Sequence, residues 1–242
     1  MKRQALLIGY SANDSSTELT VNGVLKDVED YKNYLKQPRG GAWNEDEITV
    51  LNAPSKIFLK YKISTLRKNG VDVAFIAFSG HGNYNKQERC RELLINKNET
   101  ILSRELLGIA KREILICDSC SGICNESIEQ KRLVLTEKAS NSSIRIQARK
   151  KYEELCLKCA PQTIALYAAK IGTYAEDDNG GVYTQSLLEI LQSTYKTISI
   201  VKAHDEACSL VKLKTLKGDG SYQEPERQVT KVIEFLPGAI IV

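Results

Sequence analysis

The chain is poor in histidine: its 242 residues include only two, His81 and His204. Chemistry that needs an imidazole base therefore has two places to find one. Phenylalanine is scarce too, at four, and the Lys and Arg residues are scattered. A nucleic-acid surface needs stacking platforms beside a basic patch, so the mild net charge of +4 carries no nucleic-acid reading. Long apolar runs are missing. The first, Ala5-Leu6-Leu7-Ile8-Gly9 behind Lys2-Arg3-Gln4, is far too short for an export signal or a membrane span and reads as a strand. With no export signal ahead of them, the seven cysteines, an odd number, read as free thiols. A cytoplasmic protein with no membrane partner is the expectation.

What is present suffices for a globular fold. A hydrophobic fraction of 42% and a charged fraction of 26% are ordinary, and the length allows one large domain with a sizeable core. Apolar stretches at 5–8, 48–51, 71–78, 114–117, 163–168 and 232–235 read as strands. Helical spacing or a capping residue marks 22–35, 57–68, 103–110, 182–191 and 201–216. The alternation predicts an α/β fold with a mostly parallel central sheet flanked by helices. Residues 125–160 are charged, serine-rich and poor in aromatics, and read as an exposed linker with some helix. Within a single domain spanning 1–242, this linker separates a longer segment, residues 1–124, from a shorter one, residues 161–242. No internal repeat is evident.

Two strand ends carry the chemistry. Val71 to Phe78 runs into Ser79-Gly80-His81-Gly82, and Glu113 to Cys117 runs into Asp118-Ser119-Cys120-Ser121-Gly122. Ligands bind beyond the carboxyl ends of the strands in open parallel sheets. Neighbouring strands of this kind would bring an imidazole and a thiol together, a nucleophile with its base. A thiol reacts as its thiolate, and free cysteine has a pKa of about 8.5, so Cys120 needs a proton acceptor, and His81 can be one. The glycines leave the ring accessible, and the backbone N–H groups of Gly80 and Cys120 could face a developing oxyanion.

Other readings attach to the remaining cysteines. Cys117 and Cys120 have the C-x-x-C spacing of a redox dithiol, though that does not account for the Ser79–Gly82 turn. Cys156 and Cys159 could join Cys120 and Cys124 in a zinc site, which would consume the nucleophile; ordinary helical cysteines are the simpler account. Cys90 and Cys208 read as small buried hydrophobes. No metal or other cofactor is expected.

The two turns resemble the signature blocks of the caspase-like cysteine peptidases, in particular the metacaspase branch and its prokaryotic relatives, with their Ser-Gly-His-Gly and Asp-Ser-Cys-His-Ser-Gly blocks. Asn22-Gly23-Val24-Leu25-Lys26-Asp27-Val28 resembles the segment opening the family's first helix. Gly180-Gly181-Val182-Tyr183-Thr184-Gln185-Ser186-Leu187-Leu188 resembles its small-subunit block. The resemblance implies a caspase-like three-layer sandwich, a His81–Cys120 dyad, and a pocket for a basic P1 side chain lined by Asp27, Ser79 and Asp118, with Glu176-Asp177-Asp178 at its rim. True caspases hold Asp with arginines, and the matching turns contain none. The family's His after the nucleophile is missing, which shortens that block by one residue. Many metacaspases use calcium bound by acids after the histidine block. Here Asn83–Glu92 and Asn96–Glu99 interleave few acids with basic residues, too few for a hard cation wanting six or more oxygens. The implied partners are a protein or peptide substrate with Arg or Lys at P1 and an activating protein. Lys131-Arg132, Arg145, Arg149 and Lys150-Lys151 would make the linker a substrate for self-cleavage. A catalytically silent caspase-like scaffold is the alternative from another class.

Overall fold

The structure, a computed structural model, describes residues 1–12, 23–119 and 142–242. Its elements are β1 (Arg3–Tyr10), α1 (Val24–Lys36), β2 (Ile48–Asn52), α2 (Lys56–Lys68), β3 (Val71–Gly80), β4 (Gly82–Asn85), β5 (Cys90–Asn96), β6 (Glu99–Leu102), β7 (Ala110–Asp118), α3 (Ser142–Lys158), β8 (Gln162–Tyr167), α4 (Val182–Ser193), β9 (Ile198–Ser199), α5 (Ile200–Thr215), β10 (Glu226–Val229) and β11 (Pro237–Ala239).

The central sheet has the order β10-β8-β7-β3-β1-β2. Every neighbouring pair is parallel except β10 with β8. Side chains alternate across its two faces with the strand period of two. Ala5, Leu7, Val73, Phe75, Ile114 and Ile116 pack on one side with residues of α1, α3, α4 and α5. Leu6, Ile8, Ala74, Ile76, Phe78 and Leu115 pack on the other with α2 and with Leu93, Ile95 and Ile101. The result is the three-layer α/β architecture expected, with both sheet faces covered, which is why the central strands are nearly continuously apolar.

Three local readings need correction. The helix expected over 103–110 is a single 3-10 turn, Ser103–Leu106, after which β7 begins at Ala110. The Glu113 carboxylate accepts the N–H groups of Gly108 at 2.9 Å and Ile109 at 3.0 Å, stopping the turn. The strand expected over 232–235 is absent. The Gln162 side chain binds the Glu234 carbonyl at 3.0 Å and the Leu236 N–H at 3.2 Å, taking bonds a ladder would need. The edge strand is instead the polar β10, as suits a solvent-facing edge.

The third correction concerns 125–160. Residues 125–141 lie outside the described residues, but α3 is a helix of the fold and not an exposed linker. It buries Ala148, Tyr152 and Cys156 at spacings of four. So narrow an apolar stripe among charged residues is easily read as solvated. A small antiparallel sheet, β4-β5-β6, also went unpredicted. Asn85 Oδ1 caps its first turn by accepting the N–H groups of Gln87 and Glu88, and Asn96 Oδ1 caps the second by accepting that of Asn98.

Candidate active site

β3 and β7 lie side by side, with Ser79 opposite Asp118. His81 is two residues beyond the first of these and Cys120 two beyond the second. Cys120 itself, with Ser121, Gly122 and Cys124, lies outside the described residues. His81 is half-buried between β3 and β4, its carbonyl accepting the Leu94 N–H at 2.9 Å. The bend before it requires glycine. Gly80 has φ +149°, and a Cβ there would sit 2.7 Å from the Tyr10 carbonyl oxygen.

Three side chains named from sequence meet at the same sheet edge. Ser79 Oγ donates to Asp27 Oδ2 at 2.8 Å. Asp27, in the first turn of α1, is fully buried, and Asp118 at the end of β7 is 4% exposed. The donors that hold them come from the start of α4. The Gly181 N–H contacts both Asp27 oxygens at 3.1 and 3.0 Å, Gln185 Nε2 donates to Asp27 Oδ1 at 3.0 Å, and the Thr184 N–H donates to Asp118 Oδ2 at 2.9 Å. Helix N-termini present unsatisfied N–H groups and a positive dipole end, so the first turn of α4 is suited to hold carboxylates. The approach is close: a Cβ on Gly181 would lie 2.1 Å from Asp118 Oδ2. Asp177 stands at the rim, accepting the Gly180 N–H at 3.1 Å and the Gly23 N–H at 3.3 Å.

Among the described residues no cation is paired with either acid, and both resist ionisation. Burial, then the neighbouring Asp118 charge, holds Asp27 well above the usual carboxylate range, with the Gly181, Ser79 and Gln185 hydrogen bonds pulling back. Burial pushes Asp118 up to about 6, opposed by the Thr184 hydrogen bonds and helped by the Asp177 charge. Sequence reasoning missed Thr184 and Gln185 as members of this site and the Gly181 amide as a donor. The only signal was that their block resembles a family block.

The other candidates fall elsewhere. Cys117 is buried among core residues, and burial pushes its thiol up. His204 lies in α5 with Nδ1 2.7 Å from Tyr183 Oη, and burial pushes it down to about 4. It is a neutral core histidine, which leaves His81 as the imidazole at the sheet edge. Cys156 and Cys159 are buried in and just after α3. In the segment weighed for calcium, Glu88 pairs with Arg104, Glu92 accepts from Thr100 at 2.8 Å, and Glu99 accepts from Asn96 at 2.7 Å. Among the described residues no group of three or more His, Cys, Asp or Glu is placed to hold a metal ion. Nor, among them, is any helix long and apolar enough to cross a membrane.

Comparison with known proteins agrees with the fold. The sequence profile of the caspase domain matches residues 2–234. No curated protein sequence matches the chain. Among solved structures, caspase-1 from Spodoptera frugiperda is similar at a TM-score of 0.61 and 14% identity, over 95% of this chain and 86% of that one. A protein from Geobacter sulfurreducens is similar at a TM-score of 0.62 and 20% identity, over 98% of this chain and 97% of that one. With the profile spanning nearly the whole chain on this fold, the chain belongs to the caspase-domain family and is a caspase-like cysteine peptidase.

Proposed function

We propose that the chain is a metacaspase-type endopeptidase that cuts after Arg or Lys, with Cys120 as nucleophile and His81 as its base. The observation that carries the reading is the buried acid pair of Asp27, in the first turn of α1, and Asp118, at the end of the strand leading to Cys120, with no cation paired to either among the described residues. A guanidinium or ammonium entering there would relieve the repulsion between the two carboxylates, and an acidic P1 group would add to it. Ser79 Oγ, already fixed on Asp27, lines the same pocket.

In the reaction, the Cys120 thiolate attacks the carbonyl carbon and the carbonyl oxygen becomes an oxyanion held by the N–H groups of Gly80 and Cys120. The proton taken up by His81 passes to the leaving amine as the C–N bond breaks. Water then attacks the thioester, gives a proton back through His81, and releases the acid and free Cys120.

Self-cleavage belongs to the same reading. Arg145, Arg149, Lys150 and Lys151 lie in α3, whose helical backbone is not presented as an extended strand. Within 125–160 a cut therefore falls before Ser142, at a basic residue such as Arg132.

A fluorogenic peptide library varied at P1 tests the proposal on wild type, Cys120→Ala and His81→Ala. Cleavage after Arg and Lys, reduced at least about 10³-fold in Cys120→Ala, is expected. Cleavage after Asp, or equal rates in wild type and Cys120→Ala, would overturn it. The scaffold alternative predicts no cleavage of any peptide.

A further inference from the structure

We propose that Gln185 is a positioning residue for the substrate-binding acid Asp27, its amide pinned in one orientation by Lys26. This rests on the reading of Asp27 as a pocket acid. Gln185 Oε1 accepts from Lys26 Nζ at 2.7 Å, while Nε2 donates to Asp27 Oδ1 at 3.0 Å and Asp30 Oδ2 at 3.1 Å. An ammonium can only donate, and the Asp30 carboxylate paired with it can only accept, so flipping the amide would break both of those contacts and set Oε1 against an Asp27 oxygen that already accepts the Gly181 N–H. Lys26 also pairs with Asp30 one turn along α1.

The consequence is electrostatic as well as geometric. Both Asp27 oxygens are occupied by neutral donors: the Ser79 hydroxyl, the Gly181 N–H and the Gln185 amide. Lys26 spends its charge on Asp30 and reaches Asp27 through the Gln185 amide. The carboxylate is thus held in one orientation while its charge is left for an incoming cation. Among the described residues, the Asp118 charge on β7 acts on Asp27 directly, Asp177 acts on Asp118, the Tyr31 phenol on α1 feels the Asp27 charge, and Lys26 and Asp30 meet Asp27 through Gln185; α4 contributes only neutral donors. Sequence proximity hides this arrangement, because Gln185 lies 158 residues from Asp27.

Gln185→Leu removes the donor while keeping the bulk. For a P1-Arg peptide it is expected to raise KM about tenfold and leave kcat within about twofold, as loss of a hydrogen bond to a charged group predicts. Gln185→Glu keeps the shape and the Lys26 contact but cannot donate, and serves if the Leu variant fails to fold; its KM rises at least as far.

A second readout needs no turnover. In a Cys120→Ala background, thermal unfolding is followed from about pH 4 to about pH 8. Loss of a donor that favours the ionised carboxylate raises its folded pKa further. The variant is therefore destabilised relative to its parent at the upper end, and the difference shrinks toward the lower end, where the carboxyl is protonated. A purely structural role would give the same difference at every pH. A pH-independent loss together with an unchanged KM would overturn the proposal. Wild type that fails to cut after Arg or Lys would sink the functional reading instead, and the stability profile would still decide the role of Gln185.

Discussion

Two buried charge clusters in this molecule are built on opposite plans. Around Arg3, charges are matched. Arg3 is 1% exposed, binds Glu47 at 3.1 Å and the Gly41 carbonyl at 2.9 Å, and lies over the rings of Trp43 and Tyr152. Arg149 of α3 binds both Glu47 oxygens at 2.6 and 2.7 Å and reaches Glu153 at 3.2 Å. Burial alone would raise Glu47, but hydrogen bonds from Arg149, the Asn44 backbone and Arg3 hold it down to about 2. Around Asp27 and Asp118 the charges are like, and the carboxyls are pushed up. One cluster is complete and ties α3 to β1. The other has no cation paired to it among the described residues, as suits a binding site.

The largest expected effect separates the two clusters by function. Asp118→Asn should cut kcat/KM for a P1-Arg peptide by about 10²–10³-fold, the size expected when one partner of a desolvated charge pair is lost. Its stability near neutral pH should hold or rise, because a repelling charge has gone; urea unfolding checks this. Glu47→Gln should do the reverse. Leaving Arg3 and Arg149 short of a partner should cost about 3 kcal/mol, or roughly 10 °C in midpoint for a chain of this length, with the rate per folded molecule kept.

Acid should sharpen the contrast. Glu47 has a lowered folded pKa, so its contribution is present above its unfolded value of 4.5 and lost as pH falls toward about 2. Asp118 has a raised one, so the pocket is most stable below its unfolded value of 3.8 and loses stability as pH rises through about 6. Asp118→Asn should flatten the decline over the second window and leave the first untouched. The smallest effect is a control. Lys214→Ala removes an exposed pair with Glu189 and should change stability by less than about 1 kcal/mol.

Much of the fold was legible. The continuous apolar runs of 71–78 and 114–117, and the spacing of Val24, Val28, Tyr31 and Leu35, follow from local pattern. The failures share a cause. α3 buries one residue per turn, so its stripe is thin against its charges. At 232–235 the apolar signal was real, but a single glutamine from β8 took the backbone bonds. β4, β5 and β6 are short and turn on asparagine side chains, and their residues were weighed as cation ligands instead.

By itself the sequence determined the alternation of strands and helices, the two glycine-flanked turns that end in His81 and lead to Cys120, and the candidate acids Asp27 and Asp118. Only the tertiary structure decided how those acids are held. The Gly181 amide meets Asp27 across 154 residues, and the Thr184 amide meets Asp118 across 66. Every residue but proline carries the same backbone N–H, so nothing in the letters marks which one will face a buried carboxylate. Packing α4 against the sheet edge is what makes that choice.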